Sequence, residues 1–175
     1  MIKSKNDYLE YIKLDKEALG IKYKRPKFMK DEIWRFERLL RKTEYFNNCH
    51  KIGIGKVYSL YLKTRLNIVS RKLGFTIPIN TFGAGLSIAH RGTIVVNQNA
   101  KIGKNCRIHV CVNIGANKGG GVPIIGDDVY IGPGAKIFGE IKIANGINIG
   151  ANAIVNKSFE EPNITIVGVP AKKVK

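Results

Sequence analysis

The sequence predicts a mainly β fold, a parallel β-helix of hexapeptide repeats, preceded by a small α-helical region. Three observations predict it. Ile125, Ile131, Ile137, Ile143, Ile149 and Val155 are aliphatic at a strict period of six. Val129, Ala135, Ile141, Ile147 and Ala153 stand four residues after the first five and are apolar too. Each second member therefore lies two residues before the next first member, which is strand alternation with both side chains on one face. Between the pairs lie Gly126-Asp127-Asp128, Gly132-Pro133-Gly134, Phe138-Gly139-Glu140, Ala144-Asn145-Gly146 and Gly150-Ala151-Asn152. Gly, Asn and Asp tolerate left-handed backbone angles and Pro fixes its own, so these are corners. An amphipathic helix would need spacings of three and four, and the even spacing excludes it here.

Residues 1–75 read as the helical region. A first helix spans 5–19, with Tyr8, Tyr11, Ile12 and Leu19 near one face. Residues 20–30, Lys-rich with Gly20 and Pro26, form a connector. Asp31 and Glu32 open a second helix, where negative charge suits the N-terminus. Ile33, Trp34, Phe36, Leu39 and Leu40 form its apolar seam, and Lys/Arg are expected on the other side. A third helix is expected from about Lys56 to Leu73, with Gly74 as the residue that ends it. It is basic and amphipathic, as a membrane-surface element would be. Packing against the β-helix or a neighbouring subunit is the preferred reading, because so many apolar residues need a partner. Cys49-His50 in the loop before it are two residues and make no metal site.

From Thr76 the composition shifts to Ile, Val, Gly and Asn, and residues 76–168 form the repeat domain. Counting by sixes from Ile102 reaches Val96, His90 and Ala84 upstream and Ile108 and Ile114 downstream. The partners four residues on are Ile88, Ile94, Ala100, Cys106 and Val112. His90 is the one misfit, and strict counting points it into the axis. Ile114 and Ile125 are eleven residues apart, so about five residues bulge out around Asn117-Lys118-Gly119-Gly120-Gly121, a loop that can approach a ligand closely. The period fails at Glu161-Pro162, Ile164 to Val167 reads as one more strand, and 169–175 is a basic tail.

At 175 residues the chain suits one domain with a modest appendage. No run is apolar enough to span a bilayer and no signal-peptide core is present, so a cytoplasmic location is expected. The three cysteines form no CxxC pair, and Cys106 at an inward position reads as a buried structural thiol. The net charge of +17 is concentrated in residues 1–75, with 19 Lys/Arg against 8 Asp/Glu. It favours anionic contacts such as a membrane surface or a phosphorylated acceptor. The basic residues come singly between apolar ones, as on solvated helix faces, and no nucleic-acid partner is expected.

The stretch Gly85-Leu86-Ser87-Ile88-Ala89-His90-Arg91-Gly92-Thr93-Ile94-Val95-Val96 resembles the active-site segment of serine acetyltransferases and related sugar O-acetyltransferases. So do Ile131-Gly132-Pro133-Gly134-Ala135-Lys136-Ile137 and Gly168-Val169-Pro170-Ala171-Lys172. The resemblance covers roughly residues 76–174. It implies a left-handed parallel β-helix, a homotrimer, and acetyl-CoA bound in the groove between adjacent subunits, with no metal. It makes His90 the general base facing the subunit cleft, against the strict count, so the first coil is expected to be out of phase near Gly92. It also implies that backbone groups around Gly115, Ala116, Gly134 and Ala151 meet the pantetheine, and that Lys172 and Lys173 meet the CoA phosphates. Ala89 and Arg91 would neighbour the acceptor, and His109, about one coil on at a corner, would either join them or stand as a plain surface histidine.

Acetyl transfer from a thioester to an alcohol needs a base for the hydroxyl proton and donors for the developing oxyanion. His90 is the best base in the chain, because imidazole titrates near neutral pH. Two departures from serine acetyltransferases bear on the acceptor. Ala89 stands where an aspartate precedes the catalytic histidine, and Val122 precedes Pro123 where a second histidine is expected. Phe75-Thr76-Ile77-Pro78 occupies the region of a further carboxylate. An amino-acid ammonium would lack its partner there, so a sugar hydroxyl of a surface polysaccharide is the favoured acceptor and L-serine the alternative. A non-catalytic module binding an anionic surface is the reading from another class.

Overall fold

A computed structural model describes residues 1–27 and 30–174; Phe28 and Met29, in the expected connector, and Lys175, in the expected tail, lie outside them. Three helices come first: α1 (Lys5–Ala18), α2 (Glu32–Cys49) and α3 (Gly53–Leu73). Ser4 caps α1 by accepting the Asp7 N–H at 3.1 Å, which satisfies a donor the helix itself cannot. Gly74, at φ 81°, ends α3 in the left-handed conformation. α3 begins at Gly53 rather than Lys56; Gly53 and Gly55 fall in its first turn, where the amide groups lack helical partners in any sequence.

The remaining chain winds through three sheets. The first wall holds strands Phe75–Thr76, Ile94–Val96, Val112–Gly115, Lys136–Phe138 and Ile154–Val155. The second holds Lys101–Ile102, Ile124–Ile125 and Lys142–Ile143. The third holds Ser87–Ile88, Arg107–Ile108, Tyr130–Ile131, Asn148–Ile149 and Thr165–Val167, with Lys172–Lys173 added antiparallel at its end. All other pairings are parallel, and like stacks on like: Ile114 beside Ile137, Ile137 beside Val155, Ile108 beside Ile131. One hexad serves each wall, so a residue meets its counterpart three hexads on. Ile108, Ile114, Ile131, Ile137 and Ile149 are wholly buried along the axis, where β-branched side chains suit a pleated surface. Asn105, Asp128, Gly146 and Asn163 all take positive φ at the corners, and the Asn105 amide donates to Asp128 Oδ1 at 2.9 Å. Cys106 is buried among these aliphatics, and burial pushes its thiol up to about 12.

The helices cap the first coil, through apolar contacts and one ionic cluster. Phe36 and Leu40 of α2 join the coil core, and Phe36 meets Phe75 edge-on at 5.0 Å. The expectation that Lys/Arg line the outer side of α2 fails at Arg41, which is fully buried beside Glu37 and Glu44. Its guanidinium pairs with Asp15 of α1 at 2.7 Å and Glu44 at 3.0 Å, and donates to the carbonyls of Phe82 and Gly83. Asp15 in turn accepts the N–H groups of Gly85 and Leu86. These partners are distant in sequence, so no local pattern announces them.

Glu37 accepts the Ile88 N–H at 3.1 Å through Oε1, while its buried Oε2 has no partner. Burial, and secondarily the Asp15 charge, hold its carboxyl well above its ordinary range. A raised acid pKa means the associated stability is intact below 4.5 and is lost as pH climbs through the folded-state value. Glu37→Gln should therefore raise the thermal midpoint by a few degrees at neutral pH and change it little near pH 4. Melting curves across that range check this, and a lower midpoint at every pH would contradict it.

Candidate active site

The site is built on the corner between the third wall and the first. Ile88 stands beside Ile108 on one wall, and Ile94 beside Val112 on the next. The first coil joins them with residues 89–93, while the following coil makes the same corner with 109–111. The longer corner absorbs the phase error, so Ile88 and Ile94 both point inward and His90 is exposed. The slip near Gly92 that the resemblance implied, against the strict count, is found there.

Backbone contacts hold this corner from both sides. The Ala89 N–H donates to Ile108 O at 3.0 Å, and the Cys111 N–H to Thr93 O at 2.6 Å. The Gly92 N–H donates to Leu73 O, at the end of α3, at 3.0 Å. Gly92 has φ 141°, and a Cβ there would approach Val110 Cγ1 to 3.2 Å, so glycine suits the position. Glu37 steadies the strand that leads into His90 through Ile88. None of these contacts uses the imidazole of His90.

His109 lies directly below. The His90 and His109 ring centroids are 6.2 Å apart, and His109 and Tyr130 are 5.1 Å apart, forming a column along the corner. Burial of His109, helped by Arg107 and His90, pulls its pKa below the usual imidazole value, so its neutral form is favoured. Its Nε2 is buried without a partner.

His90 opens on a cleft of about 630 Å³ between this corner and the helices, a size suited to a small-molecule site. Leu19 and Ile21, after α1, form one side, and Trp34, near the start of α2, forms another. Ala89 and Arg91 line the cleft with His90. Arg91 reaches Glu32 at 3.2 Å, both side chains being well exposed, so the pair contributes little stability but ties the corner to α2. The sequence reading overlooked Glu32, Trp34 and Glu37 as parts of this site. A carboxylate on the apolar seam, Glu37 between Trp34 and Leu40, was the available signal.

The other expected positions divide between two edges. Gly134 and Ala151 stack below His109 on the same corner: the Gly134 N–H donates to Val110 O, and the Asn152 N–H to Pro133 O. Gly115 and Ala116 lie at the opposite end of the first wall, entering the loop whose residues 116–120 are exposed. Within that loop Asn117 Oδ1 accepts the Gly121 N–H at 3.0 Å. Lys172 and Lys173 are exposed on the terminal strand, and Lys173 Nζ pairs with Glu161 at 2.6 Å. Phe75, near the expected carboxylate position, is buried against Phe36.

No family profile matches the chain. Among curated proteins it is similar to the serine acetyltransferase of Buchnera aphidicola subsp. Schizaphis graminum, with 36% identity over 124 residues, 67% of this chain and 45% of the relative. It therefore spans about half the length of the curated relatives it matches. Among solved structures it is similar to the Neisseria gonorrhoeae serine acetyltransferase in complex with serine, with 26% identity, a TM-score of 0.74, and coverage of 98% of this chain and 71% of that one. A serine acetyltransferase in complex with CoA shares the fold at 23% identity and a TM-score of 0.74, with coverage of 97% and 71%.

Proposed function

We propose that the chain is an acetyl-CoA-dependent O-acetyltransferase built on a left-handed parallel β-helix and working as a homotrimer. The observation that carries this reading is an exposed imidazole on an enlarged corner, held by backbone contacts and facing a cleft. His90 takes the proton of the acceptor hydroxyl, and the hydroxyl oxygen attacks the thioester carbonyl carbon. The tetrahedral intermediate collapses with cleavage of the carbon–sulfur bond, and CoA leaves as the thiol once protonated. The neutral state favoured for His109 spares His90 an adjacent positive charge, which would make it a poorer base. The edge carrying His90, His109, Gly134 and Ala151 is the surface on which a neighbouring copy would complete a groove for the pantetheine.

L-Serine is the acceptor that the relatives support. The second reading, a sugar hydroxyl, rests on the departures Ala89, Val122 and Phe75, which leave no carboxylate or histidine at those positions to meet an amino acid. A thiol-release assay with acetyl-CoA decides between them, using L-serine in one arm and nucleotide sugars and oligosaccharides in the other. Release with L-serine is the expected result. Release with sugars alone moves the acceptor to the second reading. No release with any acceptor, together with no calorimetric binding of CoA, would remove the enzyme and favour a binding module.

A further inference from the structure

α3 has two apolar faces, and the fold uses one. Leu62, Leu66 and Leu73 are buried against the rest of the protein. On the opposite side Ile54, Val57 and Leu60 are 89%, 68% and 56% exposed, and Tyr61 and Ile68 continue the stripe. Ile52, just before the helix, is 86% exposed. On a helical projection Lys56 and Lys63 flank this stripe on one side and Arg65 and Lys72 on the other, while Thr64 and Arg71 fall within it. From Lys51 to Leu73 the chain contains no Asp or Glu.

We propose that this outward face of α3 docks on an anionic lipid bilayer. An exposed apolar stripe between two basic flanks is the arrangement that lies flat at a membrane interface, with the aliphatic side chains below the headgroups and the cations among them. No described helix is long and apolar enough to cross a membrane, so α3 lies on the surface and does not span it. Charge argues against a second copy as the occupant. Self-pairing across this face would bring Lys56, Lys63, Arg65 and Lys72 of one copy against the same cations of the other, with no acidic residue between Lys51 and Leu73 to offset them. The exposed aliphatic and aromatic side chains Ile54, Val57, Leu60, Tyr61 and Ile68 argue against nucleic acid, whose phosphates would meet carbon where they need donors. The inference is independent of the acetyl-transfer reading, because its test measures no turnover.

The experiment is co-sedimentation of the full chain with vesicles of 70% phosphatidylcholine and 30% phosphatidylglycerol, against pure phosphatidylcholine. Binding to the anionic vesicles alone, weakening as salt rises, is expected. Lys56→Glu with Lys63→Glu, and separately Ile54→Ser with Val57→Ser and Leu60→Ser, should each lower vesicle affinity by about tenfold or more. These side chains are solvent-facing, and unchanged circular dichroism melts confirm that the variants fold. Tyr61→Trp gives a direct second reading: quenching of its fluorescence by brominated acyl chains places the residue below the headgroups. Absence of binding to the anionic vesicles would overturn the proposal. So would undiminished binding of the apolar triple variant, or an apolar-face-dependent oligomer in vesicle-free sedimentation, which would assign the face to a second copy.

Discussion

His90→Ala is expected to lower CoA release by about 10²–10⁴-fold, the usual contribution of a positioned base. The thermal midpoint should stay within a degree or two of the parent. The second half of this expectation comes from the corner itself. His90 is exposed, and residues 89–93 are held by backbone bonds at Ala89, Gly92 and Thr93 and by the exposed Arg91–Glu32 pair, none of which uses its ring. Removing the ring leaves no buried cavity and no orphaned buried donor. Loss of turnover with an unchanged melt and unchanged CoA affinity assigns the ring to chemistry. Full activity in the variant would take His90 out of the role of base and leave the cleft without one.

Arg41→Ala should have the largest effect on stability, a loss of about 3–5 kcal/mol in denaturant unfolding, as when one partner of a buried pair is removed. The substitution strands Asp15 and Glu44, which are 2% and 1% exposed, and leaves the Phe82 and Gly83 carbonyls without the guanidinium. It also removes the ion pair that ties α1 to α2, leaving α1 tied to the first coil through Asp15 and the N–H groups of Gly85 and Leu86. The cleft wall formed by Leu19 and Ile21 follows α1 in sequence. Affinity for the acceptor should therefore fall together with stability. Replacing Asp15, Arg41 and Glu44 together by apolar residues of similar volume should recover only part of the loss. The N–H groups of Gly85 and Leu86 would then be buried without an acceptor. A single-variant loss below about 1 kcal/mol would show that water reaches the cluster.

Much of the coil was legible because its information is local and repeated. Each hexad carries its own inward pair and its own corner, so Ile125 to Val155 announced their burial without reference to anything distant. Residue type and flanking motif made His90 the candidate base, but its orientation was not legible. Counting aimed it at the axis, and only the pairing of Ile88 with Ile108 and of Ile94 with Val112 shows how a longer corner turns it out. α2 presents the opposite case. Its seam was readable, yet Arg41 looked like a surface cation until Asp15, from another helix, and the carbonyls of the first coil closed around it.

By itself, then, the sequence determined the repeat, the inward aliphatic set and the helical preface, and it singled out His90 as the candidate base. Only the tertiary structure decided which corner carries that imidazole outward, which helix residues wall the cleft, and which face of α3 is left uncovered. The physical reason is range. Strand alternation and corner chemistry act between neighbours along the chain. Burial of a charge, the phase of a coil and the exposure of a helix face depend on groups brought together from far apart in it.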